Sequence, residues 1–130
     1  MKSRYKNKLS VFLCGVLLLW LCGCMTEEKC RQIMEYNSNI EFNLVIEGPT
    51  TTEPNYYEMN AKDLILNRSG RAKVDRGLGS IVPNWSIGDT LTKSKGNSIV
   101  ILKKKEPILG TRIFVSEWTC NGSFINGEPL

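Results

Sequence analysis

The 130-residue sequence contains no histidine. Histidine is the commonest general base, so its absence excludes serine–histidine and cysteine–histidine catalysis. A zinc site needs several cysteine or histidine ligands, and only two of the five cysteines, Cys30 and Cys120, lie beyond residue 24. A phosphate-binding glycine loop is also missing, because Gly77-Leu78-Gly79 lacks the third glycine and the lysine. We therefore expect neither a metal nor a cofactor.

The sequence also lacks the apolar run of about 20 residues that a membrane-spanning helix needs. Its longest apolar stretch runs from Leu9 to Leu21, interrupted by Ser10 and Gly15, and it follows a basic start. This order of basic residues, apolar core and small residues predicts a secretory signal. Extended through Met25 the stretch becomes a marginal spanning helix, so an uncleaved signal anchor is the alternative.

Residues 24–130 lack a net charge. The whole sequence has 17 basic and 13 acidic residues. Four of the basic residues and none of the acidic ones lie in residues 1–23, which leaves 13 of each sign in the remainder. The excess of basic residues belongs to the signal segment, and we expect no nucleic-acid partner.

The apolar stretch ends in Leu21-Cys22-Gly23-Cys24. This tetrapeptide resembles the lipobox of bacterial lipoproteins, in which a small residue precedes the cysteine that is lipidated. The resemblance implies that Cys24 receives diacylglycerol, that residues 1–23 are cleaved, and that the new N-terminus is acylated, as with palmitate. It implies a partner, the membrane, to which the lipid anchors the protein. More than one acyl chain makes such an anchor stable.

A second segment, residues 87–98, carries the run Gly88-Asp89-Thr90-Leu91 ahead of a strand of apolar residues. It resembles a segment of small lipoproteins of Bacteroidetes. This resemblance implies attachment to the outer membrane, facing the periplasm or the cell surface. Asp89-Thr90-Leu91 also fits the pattern at which exported proteins of that phylum are O-glycosylated, which makes Thr90 a candidate. In physical terms we expect Lys93 and Lys95 to be solvated.

Two cysteines remain outside the signal and the lipobox, Cys30 and Cys120. Exported chains seldom leave a thiol unpaired, and the exported compartment permits oxidation. We therefore expect a Cys30–Cys120 disulfide, with two buried free thiols as the alternative. The disulfide would close almost the whole domain into one loop.

Residues 24–39 combine the lipidated N-terminus with a short helix, capped by Thr26 and with Cys30 and Met34 on one stripe. Residues 40–47 alternate between apolar and polar, as in a half-buried strand. Residues 48–55 are expected to be an exposed loop. Further strands are expected around residues 56–59, 64–66, 72–74, 98–105 and 111–120, and residues 121–130 are expected to be a flexible tail.

These segments predict a mainly β fold, a small antiparallel barrel or sandwich of about 6–7 short strands with one short N-terminal helix. The expected organisation is a signal peptide at 1–23, the lipidated N-terminus and helix at 24–39, the β domain at 40–120 and the tail at 121–130.

Catalysis by a pair of carboxylates is the enzymatic option that the composition leaves, for example in a hydrolase acting on envelope glycans. Strand faces and turns explain each candidate acid, so we expect that the protein is not an enzyme. The candidates are Glu47, Glu58, Asp63, Asp75 and Asp89.

The expected role is therefore binding or structural, with an envelope protein or a glycan as partner. Tyr56, Tyr57 and Trp85 are candidates for an aromatic platform that stacks on sugars, and packing in the core is the alternative. A surface interaction protein of the immunity or inhibitor type would instead insert a loop, 48–55 or 103–112, into its partner. The run Lys103-Lys104-Lys105 is expected to keep a hairpin end soluble.

Overall fold

The computed structural model describes residues 26–130, so the signal segment and Cys24 lie outside the described residues. It confirms a mainly β fold, with one α-helix and eight strands in this part of the chain. The elements are helix α1 (Glu27–Asn39), strands β1 (Phe42–Thr52), β2 (Tyr56–Asp63) and β3 (Arg68–Asp75), a 3-10 helix (Val82–Asn84), and strands β4 (Thr90–Lys93), β5 (Ile99–Glu106), β6 (Gly110–Thr119), β7 (Gly122–Ile125) and β8 (Glu128–Pro129).

Helix α1 begins where the sequence places its cap. The Thr26 hydroxyl accepts a hydrogen bond from the backbone N–H of Lys29 at 3.3 Å. Glu27 and Glu28 in the first turn face the positive end of the helix dipole. Cys30 is the buried apolar residue of the helix.

The eight strands form one antiparallel sheet in the order β3-β2-β1-β4-β5-β6-β7-β8. The expected antiparallel architecture is confirmed, with more strands than predicted. Among residues 26–130 the outermost strands, β3 and β8, do not pair with each other, so the sheet stays open. Within the same residues, no helix has the length and the apolar character needed to cross a bilayer.

The core lies between the inward face of the sheet and the segment 76–89 that crosses it. From this segment Leu78 and Ile81 are buried to 1% and 0% exposure. Gly79 must be a glycine, because a Cβ there would lie 2.5 Å from the ring of Tyr57. The strands contribute the alternating residues Phe42, Leu44, Ile46, Met59, Ala61, Val74, Leu91, Val100, Leu102 and Phe114.

The expected loop 48–55 is mostly strand, because β1 continues to Thr52. The register of β1 against β2 shifts between Ile46 and Thr50, which marks a bulge around Gly48-Pro49. A bulge accommodates a proline that has no N–H to donate. The exposed connection is therefore only residues 53–55.

The strand predicted at 64–66 is wrong, because these residues form the turn between β2 and β3. The Asp63 carboxylate accepts hydrogen bonds from the N–H groups of Ile65 and Leu66 at 2.8 and 3.0 Å. Asn67 closes the turn with a φ of 50°. Turn geometry imposed by an aspartate and an asparagine outweighs the apolar composition.

Residues 121–130, predicted to be a flexible tail, contain β7 and β8. Ile125 pairs with Glu128, so Asn126-Gly127 forms a two-residue hairpin turn, with φ of 52° and 86°. Asn-Gly is the strongest short hairpin signal, since both residues tolerate positive φ. This local signal outweighs the fraying expected of residues near a chain end.

Helix α1 lies across one end of the sheet, which we call the helix end. Cys30 and Cys120 are joined there, with their Cα atoms 5.8 Å apart, which ties the start of α1 to the end of β6. At the last turn of α1, the carbonyl of Ser38 accepts a hydrogen bond from Gly96 in the β4–β5 turn at 2.7 Å. The β5–β6 connection lies at the opposite end, the tip end.

Candidate functional site

The β5–β6 tip, residues 107–109, carries the two most exposed large apolar side chains of the described residues. Ile108 is 94% exposed and Leu109 is 77% exposed. The tip is short, because Glu106 already pairs with Gly110, which takes a positive φ of 78° to close the turn. A Pro-Ile-Leu sequence therefore stands in solvent at the end of a long hairpin.

The three lysines below the tip do not share one environment. Lys103 and Lys105 are exposed, as expected for residues that keep a hairpin end soluble. Lys104 turns inward instead, and its Nζ donates to Ser86 Oγ at 2.7 Å and to the carbonyl of Asn84 at 3.2 Å. The middle lysine thus ties the hairpin to the crossing segment.

Asp89 is the buried partner of this attachment, at 2% exposure. Its carboxylate accepts hydrogen bonds from the N–H of Ser86 at 2.7 Å and of Lys105 at 3.3 Å. The Nζ of Lys104 lies 3.4 Å from the same group. The base of the tip is therefore held to the domain by a buried, hydrogen-bonded charge.

The three aromatic candidates do not form one platform. Tyr57 and Trp85 pack against the core, with their rings edge to face and 6.0 Å apart, and Trp85 donates its indole N–H to Thr50 at 3.0 Å. Tyr56 precedes Tyr57 on β2 and so lies on the other face of the sheet. There it meets Lys73, whose Nζ is 4.5 Å from the ring centre. The packing alternative describes Tyr57 and Trp85.

The candidate acids are each engaged in the structure. Asp63 and Asp89 accept backbone hydrogen bonds as described above, and Asp75 accepts one from the N–H of Gly77 at 2.8 Å. Glu58 pairs with cations on β3, and Glu47 accepts a hydrogen bond from the Ser69 hydroxyl at 3.1 Å. These contacts fix turns and strand pairs.

Lys93 is not solvated as predicted but buried, at 1% exposure. Its Nζ donates to the carbonyls of Ile40, Ser94 and Asn97 at 2.8, 3.2 and 2.6 Å. Burial lowers the pKa of Lys93 from its ordinary value, an effect that the Glu41 carboxylate opposes. Lys95, by contrast, is exposed as expected.

Thr90 is half-buried on the outward face of β4, where Val45 and Lys103 are its neighbours across the strands. Its O-glycosylation stays a prediction. Lipidation of Cys24 also stays a prediction, because that residue lies outside residues 26–130.

A second surface runs along the free edge of β3. A groove of about 260 Å³ opens between this strand and the start of β1. Ala61 and Ala72 line it with methyl groups and Gly70 with backbone alone, and Phe42 and Leu44 contribute large apolar side chains. At the far end, Arg68 lines the groove together with Glu41 and Asp63.

No match was found when the chain was compared with known protein families, curated proteins and solved structures. Its family and its function therefore do not follow from similarity.

Residues 103–112 are predicted from the sequence as a partner-binding loop, but Ile108 and Leu109 are not among the predicted site residues. The signal was available, since turns are normally polar and this one holds an apolar pair. Burial of Lys93 was also readable, because it follows Leu91 by two residues in a strand and so shares its inward face. The groove had no such signal, since it depends on which strand lies at the edge.

Proposed function

We propose that this protein is a lipid-anchored lipoprotein of the bacterial outer membrane that binds a protein partner through the β5–β6 tip and is not an enzyme. The observation that carries the proposal is the exposure of Ile108 and Leu109. An apolar pair in solvent at the end of a hairpin favours contact with another molecule, because burying it removes apolar surface from water. This corresponds to an interaction protein that inserts a loop into its partner.

The position of the tip supports this role. Strand β6 has 10 residues between Gly110 at the tip end and Thr119 next to Cys120, which spans roughly 30 Å. The disulfide brings the start of α1 to the same end as Cys120. A lipid on Cys24 would be only two residues from Thr26, so the anchor would hold the helix end near the membrane and the tip away from it.

The engaged carboxylates support a non-catalytic role. A glycosidase needs two acids facing one cleft, one of them free to donate a proton. Here Asp89 is hydrogen-bonded to backbone and Lys104, and Glu58 is paired with Arg71 and Lys73. Tyr57 and Trp85 pack on the core, so they do not support an aromatic sugar-binding platform.

Intact-mass analysis of membrane-extracted protein tests the anchor. We expect the mass of residues 24–130 plus diacylglycerol and an acyl chain, and an unprocessed chain for Cys24→Ser. An unmodified full-length mass in both proteins would refute the maturation step and favour the uncleaved signal anchor.

Photo-crosslinking in intact cells tests the tip. A photoreactive amino acid replaces Leu109, and a control places it at the exposed Lys95 in the β4–β5 turn. We expect one discrete protein adduct from position 109 that disappears when Ile108→Asp is added, and no such adduct from position 95. Equal adduct patterns from both positions would rule out a specific tip contact.

A further inference from the structure

Strand β3 leaves one of its two edges open. All eight of its residues pair with β2, from Arg68 opposite Asp63 to Asp75 opposite Tyr56. Its other side has no strand partner within residues 26–130. An open edge presents backbone N–H and C=O groups to which another extended chain can add. At eight residues, β3 is long for an exposed edge.

Side-chain volume at this edge is small on the inward face. Ala72 and Gly70 alternate there, and a Cβ built on Gly70 meets no atom within 4 Å. The groove described above lies over these residues and is bounded by Phe42 and Leu44. An added strand would therefore find apolar space for its inward side chains, opposite Gly70 and Ala72.

The outward face of the same edge carries two cations, Arg71 and Lys73, and one acid, Asp75, at its end. Arg71 and Lys73 lie 3.1 and 3.7 Å from the single carboxylate of Glu58. Their side chains are 79% and 59% exposed, whereas that of Glu58, on β2, is 19% exposed. The two cations thus share one carboxylate on β2 and stay largely exposed, with Lys73 also in contact with the Tyr56 ring. An added strand would meet them with its outward side chains.

A second copy of this chain does not suit the edge. When two copies of β3 pair antiparallel about a two-fold axis, inward side chains must lie opposite inward ones. The axis must then lie between one residue and the same residue of the second copy. The two registers that overlap β3 most fully centre on Arg71 or Ala72. The first places Arg71 opposite its own copy, and the second places it opposite Lys73. Like charges directly opposite each other destabilise a strand pair.

We infer that the β3 edge binds an extended segment of another protein, added as a strand, in which acidic residues alternate with apolar ones. The acidic residues lie opposite Arg71 and Lys73 on the outward face, and the apolar residues enter the groove over Gly70 and Ala72. Main-chain hydrogen bonds supply affinity, and the alternation supplies specificity. The inference is independent of the tip and of the lipid anchor.

The test uses full-chain protein extracted from membranes in non-ionic detergent and fluorescent eight-residue peptides. One peptide alternates valine with glutamate, a second alternates valine with lysine, and a third alternates proline with glutamate. We expect the valine–glutamate peptide to bind at least about tenfold tighter than either control, and to slow hydrogen exchange of β3 amides. Equal binding of the proline–glutamate peptide would show that charge alone explains the binding, without strand pairing, and would overturn the inference.

A pair of variants separates groove binding from other contacts. Gly70→Leu places a side chain in open space within the groove, and we expect peptide affinity to fall about tenfold or more. Thr111→Leu adds the same side chain at an exposed position of β6, away from the groove, and should leave affinity within about threefold. Equal effects of the two variants would overturn the inference, as would dimerisation in sedimentation without peptide. Loss of the tip adduct would leave this result unaffected.

Discussion

The two ends of β4 are each closed by a buried charged side chain, but the two charges are held in different ways. At the tip end, Asp89 faces the cation of Lys104 and two backbone N–H groups. At the helix end, the Lys93 ammonium is held by three carbonyls. At the tip end, an ion pair thus joins the hairpin to the crossing segment. At the helix end, one ammonium group donates hydrogen bonds to carbonyls of two separate segments.

The difference indicates what each end does. The helix end also carries the disulfide, so its parts are fastened both covalently and by Lys93. At the tip end, the Asp89–Lys104 contact holds only the base of the β5–β6 hairpin, and residues 107–109 project into solvent. Stability should therefore depend most on the helix end, and partner binding on the tip end. The predictions below test this division, from the largest expected effect on stability to the smallest.

Removal of the disulfide should have the largest effect. Cys30 and Cys120 are 90 residues apart, so the bond removes much of the loop entropy of the unfolded chain. We expect Cys30→Ser/Cys120→Ser to lower the free energy of unfolding by about 4 kcal/mol. Denaturant unfolding with and without reductant measures this, and the double variant should no longer respond to reductant. An unchanged midpoint would contradict a stabilising role of the bond.

Lys93→Met should have the next largest effect. The substitution keeps an unbranched side chain, one atom shorter, but leaves three carbonyls without their donor, at an expected cost of about 3 kcal/mol. Lys95→Met is the control, because Lys95 is exposed in the same turn and should change stability by less than about 0.5 kcal/mol. Equal effects of the two substitutions would contradict a stabilising role of the Lys93 hydrogen bonds at the helix end.

Asp89→Asn should destabilise less than Lys93→Met. The asparagine keeps one acceptor oxygen but loses the charge that Lys104 faces, and we expect a loss of about 1–2 kcal/mol. A double-mutant cycle with Lys104→Met measures the coupling between the two side chains. A coupling near zero would show that Asp89 acts only through the backbone N–H groups of Ser86 and Lys105.

The pKa of Lys93 gives the helix end a pH dependence. Its pKa in the folded protein lies below its ordinary value of 10.5, so between the two values the unfolded chain binds more protons. The free energy of unfolding should then rise with pH in that window, by at most about 1.4 kcal/mol per pH unit. The rise should be smaller in Lys93→Met, and an identical pH profile would contradict the assignment.

Local patterns predicted the parts of the fold that depend on neighbouring residues. The alternation of Phe42, Leu44 and Ile46 gave the inward face of β1, and Thr26 gave the start of α1. Strand order could not be predicted, because alternation shows which face is buried but not which strand lies alongside. For that reason the open edge at β3 had no sequence signal. The Asn126-Gly127 hairpin had one, and it was misread as a chain end.

Substitution at the tip should change stability least of all. Ile108 and Leu109 are almost fully solvated, so Ile108→Ser/Leu109→Ser removes no packing and should alter the free energy of unfolding by less than about 0.5 kcal/mol. With the photoreactive amino acid at position 109, Ile108→Ser should abolish the cross-linked adduct at the tip, while Lys95→Ser should preserve it. Loss of stability comparable to that of Asp89→Asn would mean that the apolar pair packs against the domain. Its exposure would then no longer argue for a partner at the end away from α1.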